Sequence, residues 1–533
     1  MGLITSYFSF KYMAVFLPAV IGLYLIPSRR FRRLVLLLSG YCFFWAVSGK
    51  LLVYLLLSTL SIHHIGLWLE NINGECERLR SDSPKEQRKE IKSRYVRKQR
   101  CVVAFGVILH IGILLFLKYS PFFAANINSL FKIVRLPIAI NIPSFAIPIG
   151  ISFYTLQAVS YIFDVYRKKI PADNNLFRLA LYMSFFPQLM EGPICRYTDT
   201  AHNLYQAEAV KWENLTFGMQ RMLFGLMKKI VVADRLNLFI ENVFTNYGNF
   251  DGFVTAAACV GYTIQLYMDF SGTMDLVIGS GQILGVRLPE NFQRPFFSKT
   301  ISEFWQRWHI TLGTWFKDYI FFPLSMSKPL KKLTGRARKR FGNHFGPLAA
   351  GSVALFCVWL CNGLWHGAGW HYIFFGMYHF VLILLGSLTE PFVIKAADRL
   401  HIKRDSVPYR IVQIIRTTAL VCIGELFFRA NGLMAGFVMF KKIFTEFSFK
   451  TLYDGTLFSL GMDLPDYIVI IFTLLIILIV GIIQERGGRV REIIARRNIV
   501  IRFGVFYAAI LFIIIFGAYG KGYVPVDPIY AGF

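Results

Sequence analysis

The residue types in this chain best suited to chemistry are two histidines in aromatic, glycine-bearing settings. His309 closes the run Glu303-Phe304-Trp305-Gln306-Arg307-Trp308-His309, and His366 lies in Cys361-Asn362-Gly363-Leu364-Trp365-His366-Gly367. An ionisable side chain at membrane depth is costly and marks a functional site by default, and histidine is the side chain best placed to move a proton near neutral pH. If 361–371 is locally helical, Asn362 and His366 share one face at i and i+4. Gly363 and Gly367 then leave room beside the imidazole for a backbone or a thin substrate. A lone buried histidine is also explained as a core group bonded to a neighbouring helix. The pairing of His366 with His309, each beside a tryptophan and with no acidic ligand at metal spacing, favours chemistry.

A metal centre is the competing reading for His366, His371 and His379. Their spacings of five and eight residues differ from the i, i+4 arrangement that puts two ligands on one helical face, and no carboxylate lies between them. The eight cysteines include no CxxC pair and mostly fall in apolar runs, as small core residues do. No metal is expected.

The elements that must position these groups are membrane helices. The 533 residues are 55% hydrophobic and 16% aromatic, with a mean hydropathy of +0.49, and the apolar runs match the length a bilayer span needs. The net charge of +27 sits in short clusters between apolar runs, a positive-inside pattern and not a nucleic-acid stripe. Those clusters are Arg29 to Arg33, Arg78 to Arg100, Lys328 to Arg340 and Arg486 to Arg497. Placing all four in the cytoplasm puts the N-terminus outside. Candidate spans fall near 10–27, 34–48, 51–69, 101–118, 147–165, 177–191, 254–270, 348–364, 370–388, 410–428, 466–483 and 501–519. Several are short or broken by Gly and Pro, so about eleven true crossings are expected, with re-entrant segments. The stretches 212–240 and 303–324 mix apolar and cationic residues and read as interfacial helices. No soluble domain or internal repeat is evident, so one integral-membrane domain over 1–533 is expected, and a repeat-built transporter is disfavoured.

Several motifs then occur in one order: Pro148-Ile149-Gly150-Ile151-Ser152-Phe153-Tyr154, Phe186-Pro187-Gln188 through Glu191-Gly192-Pro193, Lys228-Lys229 with Ala233-Asp234-Arg235, Tyr267-Met268-Asp269-Phe270-Ser271-Gly272, Trp308-His309, Trp365-His366-Gly367 and Phe428-Arg429-Ala430. Over about 145–435 this pattern resembles the membrane-bound O-acyltransferase family, in particular its polysaccharide-acetylating branch, with the teichoic-acid D-alanylating branch related. The resemblance implies an all-α polytopic fold around a central tunnel in a bacterial plasma membrane. It matches His366 to the family's principal histidine and His309 to its second active-site position. It implies no bound cofactor, with acetyl-CoA or another acyl thioester as donor substrate reaching the site from the cytoplasm. The acceptor hydroxyl would come from outside, and a secreted or membrane-anchored extracellular O-acetyltransferase is the expected partner. D-alanyl transfer from a carrier protein and a non-catalytic transporter or flippase are the alternatives.

Transfer from a thioester to an alcohol needs the hydroxyl proton removed and the developing oxyanion stabilised. His366 is the expected base. His309, with Asn362 or a backbone amide, is the expected group polarising the carbonyl, and Trp305, Trp308 and Trp365 are supporting residues. Lys228, Lys229, Arg235 and Arg307 are candidate donor-phosphate contacts. Asp269 and Glu191, carboxylates in apolar runs, are expected to be paired, Glu191 with Arg196. The tail Pro528-Ile529-Tyr530-Ala531-Gly532-Phe533 resembles the aromatic C-terminus of the acetylating branch, which implies a role for Tyr530 at the outer mouth.

Overall fold

Physical chemistry leaves a chain of this hydropathy one economical way to satisfy its backbone, the helix. The computed structural model describes residues 4–143, 145–520 and 522–526. Among these, helices are joined by short turns, and the single β feature is an isolated antiparallel bridge between Phe292 and Trp308. Among the described residues, seven segments are long and apolar enough to cross a membrane: Arg29–Asp82, Arg88–Ile133, Lys328–His366, Trp370–Arg399, Val407–Arg429, Leu464–Glu485 and Ile499–Phe516. The protein is a multi-pass membrane protein.

This count is reached differently from the expected crossings. Arg29–Asp82 is broken at Gly49 (φ 56°) into α1 (Arg29–Ser48) and α2 (Leu52–Asp82). The runs expected near 147–165 and 177–191 form Ile151–Tyr166 and Leu176–Ser184, of 16 and 9 residues. At ~1.5 Å per residue they fall short of a ~30 Å hydrocarbon core. The run near 254–270 belongs to the 32-residue α3 (Gly252–Ile283), which is long enough but carries Gln265, Asp269 and Asp275.

The described chain divides into two compact units, one running to Met219 and taking in Val277–Pro289, the other comprising Gln220–Leu276 and the chain from Glu290 to Val526. In the first, α1 and Ser184 approach closely, since a Cβ at Gly40 would lie 2.0 Å from the Ser184 carbonyl oxygen. Interhelical hydrogen bonds tie α2 to Arg88–Ile133 through Ser61 and His110 at 2.9 Å and Gln99 and Asn73 at 2.6 Å.

The second unit holds both histidines. Lys328–His366 (α4) is two helices meeting at Gly342, whose φ of 77° and ψ of −175° interrupt the turn. The first carries the basic cluster and the second ends on His366. Trp370–Arg399 (α5) follows directly, and Val407–Arg429 (α6) starts with Pro408 in its first turn, where a missing N–H costs nothing. α4 and α5 touch backbone to backbone. A Cβ at Gly363 would meet the Tyr372 carbonyl oxygen at 2.5 Å, and one at Gly376 the Trp359 oxygen at 2.3 Å. These contacts fix the end of α4 and therefore the height of His366. Gly363→Ala and Gly376→Ala should each destabilise the fold by about 1–3 kcal/mol through overpacking, seen as a lower melting temperature in detergent. Unchanged melting in both would show that the helices can part without cost.

Candidate active site

His309 is held by an unusual piece of backbone. Thr300 caps Ile301–Arg307 (α7) by accepting a hydrogen bond from the Glu303 amide at 3.1 Å, as N-cap hydroxyls do. The chain then becomes extended at Trp308 and left-handed at His309 (φ 46°, ψ 50°) before Ile310–Phe316 begins. Left-handed backbone is uncommon for a residue with a Cβ. Here the segment 291–293 enforces it: the Gln293 amide donates to the Arg307 carbonyl at 2.9 Å and the Ile310 amide to the Asn291 carbonyl at 3.0 Å.

Asn291, fully buried, completes the clamp with its side chain. Its Oδ1 accepts from the Thr311 amide at 3.1 Å and from the Thr311 hydroxyl at 2.9 Å, and lies 3.3 Å from His309 Nδ1. Because Oδ1 can only accept, Nδ1 is the protonated ring nitrogen of a neutral His309 and Nε2 is the basic one. Burial pushes the His309 pKa down to about 3, so the ring is neutral at pH 7. Asn291 was not legible beforehand, since nothing in the spacing between 291 and 309 links the two.

His366 ends α4, and its imidazole is enclosed by aromatic rings: Trp365 at 5.0 Å, Phe428 at 5.0 Å and Phe375 at 5.8 Å between centroids. The Trp365 ring also lies 5.4 Å from His309, which packs against Phe270 at 4.9 Å on another side. One indole therefore touches both imidazoles, although 309 and 366 belong to different helices. Asn362 sits one turn before His366, largely buried, and its Oδ1 has no hydrogen-bond partner among the described residues.

The other expected site residues are placed elsewhere. Trp305 packs against Trp359, Phe375 and His379 at 4.9, 5.9 and 4.8 Å, and Trp308 packs among Tyr267, Phe292 and Phe304. His379 is completely buried, and no group of three His, Cys, Asp or Glu side chains among the described residues is arranged to hold a metal ion.

Within the stretch 212–240, expected to be interfacial, Trp212 and Met219 are exposed while the cations near its end are not. Lys228, Lys229 and Arg235 are buried rather than displayed, because carboxylates neutralise them. Lys228 meets Asp275 at 2.7 Å, and Lys229 meets Asp269 at 2.6 Å and Asp234 at 3.0 Å. Arg235 pairs with Asp466. Arg221 bridges Asp275 at 3.0 Å and Glu290 at 2.6 Å, and Arg307 holds Glu303 at 2.8 Å and Glu485 at 2.9 Å. A donor phosphate would compete with these carboxylates for any of the cations. The pairing expected for Asp269 is thus present.

The same network grips the chain after the last helix. Lys229 Nζ donates to the Val526 carbonyl at 2.8 Å, the Val526 amide donates to Asp234 at 2.8 Å, and the Tyr523 hydroxyl to Asp466 at 3.0 Å. Tyr530 lies outside the described residues.

Comparison with known proteins decides the family. The model of the membrane-bound O-acyltransferase family matches residues 158–338. The probable alginate O-acetylase AlgI of Pseudomonas aeruginosa is 31% identical over 440 residues, 81% of this chain and 74% of that protein. The chain belongs to the membrane-bound O-acyltransferase family. A peptidoglycan O-acetyltransferase of Helicobacter pylori is 27% identical over 64% of each chain. A teichoic acid D-alanyltransferase of Bacillus subtilis is 31% identical over 45% of this chain and 59% of its own. The protein is an acyltransferase.

For this acyltransferase, Asn291→Ala should free the His309 ring and lower kcat on the order of 10²-fold, the scale of a misplaced reacting group. Steady-state kinetics with a melting control would read it, and an unchanged kcat would remove Asn291 from the orienting role. Lys229→Met leaves Asp269 and Asp234 buried without their cation, and should cost about 3–5 kcal/mol of stability. Thermal unfolding should show partial recovery when Asp269→Leu is added.

Proposed function

We propose that this acyltransferase carries an acyl group, most simply acetyl, from a cytoplasmic thioester across the membrane to a hydroxyl acceptor, for modification of a cell-surface polysaccharide or cell-wall polymer. The observation that carries the reading is the convergence of His309 and His366 on the single indole of Trp365, with Asn362 one turn below. In this mechanism His366 takes the proton of the acceptor hydroxyl as its oxygen attacks the thioester carbonyl. The carbonyl oxygen becomes an oxyanion, which the Asn362 amide stabilises as a donor, while neutral His309, whose Nε2 can only accept, orients the reacting groups. Collapse breaks the C–S bond, and the imidazolium returns the proton to the departing thiolate.

Acetyl-CoA is the donor in this reading. The relatives matched over most of both chains are named as acetylases, while the D-alanyltransferase of Bacillus subtilis matches less than half of this one. The enzyme would sit in a bacterial plasma membrane with its N-terminus outside, and would hand the group to a secreted or membrane-anchored extracellular O-acetyltransferase. Tyr530 is the tail residue proposed to dock at the outer mouth.

The test reconstitutes the wild type and His366→Ala in liposomes with radiolabelled acetyl-CoA on one side and a hydroxyl acceptor on the other. Loss of the base should reduce acetyl transfer about 10²- to 10⁴-fold. Passage of intact donor through both proteins without any transfer would establish a transporter instead, and equal transfer by both would strip His366 of its role.

A further inference from the structure

The first half of α4 breaks the rule that governs the buried cations of the second unit. Arg221, Lys228, Lys229 and Arg235 each hold a carboxylate. Residues 328–340 instead carry seven Lys and Arg side chains and no Asp or Glu. All seven are exposed, and none forms an ion pair among the described residues. At ~100° per residue they occupy one arc of about 200°, from Arg338 round to Arg340. Leu330, Leu333, Ala337 and Phe341 line the remaining face, so the helix is amphipathic.

The elbow at Gly342 sets this helix aside from the span that follows it. In an unbroken helix, residues 338 and 346 would be about 12 Å apart along the axis. Here a Cβ at Gly346 would lie 2.4 Å from the Arg338 Cα, so the chain folds back and the two pieces touch backbone to backbone. His344 Nε2 donates to the Ser387 carbonyl at 3.1 Å, which pins the start of the span to α5. The apolar stripe is covered at Ala337, 7% exposed, yet open at Leu333 and Phe341, 40% and 54% exposed. A solvated charged face accounts for the cations and gives those two side chains no reason to be open. An acidic protein would match the charge but not an apolar stripe opened beside a membrane span. A helix divided in this way lies in the plane of a bilayer surface, its apolar side at the acyl boundary, and juxtamembrane cations attract anionic lipids.

We propose that residues 328–341 form a docking surface for anionic lipid, with Leu333 and Phe341 in the acyl boundary and the cations that flank the stripe on phosphodiester headgroups. Those cations are Lys331 and Arg338 on one side and Arg336 and Arg340 on the other, while Lys332 and Lys339 face away from the membrane. The occupant is the lipid leaflet itself and not a free phosphate. The elbow then holds the start of the α4 span at the level of the headgroups. None of these side chains belongs to the acyl-transfer site, so the surface stands apart from the reading of His366 as the base.

The test places the full-length protein in nanodiscs of phosphatidylcholine alone and of phosphatidylcholine mixed equally with phosphatidylglycerol, and follows amide hydrogen exchange over 328–341. The wild type should exchange about 10-fold more slowly there in the anionic discs, the scale of one or two cations meeting an anionic surface. Joint Lys331→Gln, Arg336→Gln, Arg338→Gln and Arg340→Gln should abolish that difference. The charge-conserving set Lys331→Arg, Arg336→Lys, Arg338→Lys and Arg340→Lys should keep it, and so should Lys332→Gln with Lys339→Gln. Native mass spectra of the detergent-solubilised proteins should rank their retention of phosphatidylglycerol over phosphatidylcholine in the same order. Equal exchange by the wild type in both discs, or a lipid preference untouched by the four neutralisations in well-folded protein, would overturn the surface and leave the cations to water or an acidic protein. Equal loss from the Lys332 and Lys339 pair would overturn the orientation on which it rests. Displacement of the retained lipid by an equal concentration of glycerol 3-phosphate would reveal a free-phosphate site instead.

Discussion

The second unit depends on one constraint: charge buried in an apolar setting must be met by opposite charge. Lys228, Lys229, Arg235 and Arg221 lie along one stretch of chain, and Asp275, Asp269, Asp234 and Asp466 meet them from α3, from the same stretch and from Leu464–Glu485. A buried ion pair adds little net stability against a well-packed apolar alternative, but losing one partner is severe, so such a network specifies which elements sit together. It also fixes the chain after Ile499–Phe516, because Lys229, Asp234 and Asp466 bond to Val526 and Tyr523 directly.

Against that frame the two histidines are positioned by different means. His366 owes its place to helix packing, with glycines at 363 and 376 letting α4 and α5 meet backbone to backbone. His309 owes its place to hydrogen bonding, with 291–293 holding a left-handed residue that a free loop would avoid. The first device sets a height along a helix and the second sets a ring orientation and tautomer. The proposed acyl transfer uses both, since a base must reach the hydroxyl proton while the reacting groups are held in line.

The contrast between satisfied and open polar groups sorts this unit into frame and site. Cations that hold the fold have their carboxylates within hydrogen-bond reach. The Asn362 Oδ1, one turn before His366, has no such partner among the described residues.

The sequence by itself determined the helical, membrane-spanning class and the family, and singled out the two histidines as candidates, because hydropathy and ordered motifs are local properties of the chain. Pairing of Asp269 with a cation was also legible, since a carboxylate in an apolar run has few other options. Tertiary structure alone decided that Lys228, Lys229 and Arg235 within 212–240 are buried, because the carboxylates that make burial tolerable come from residues as distant as 466. It alone revealed Asn291, whose distance from His309 along the chain carries no periodic signal. It also turned the Trp-His at 365 and 366 from a motif into a junction, with one indole against both imidazoles, a contact that depends on two helices meeting and that no spacing along one chain encodes.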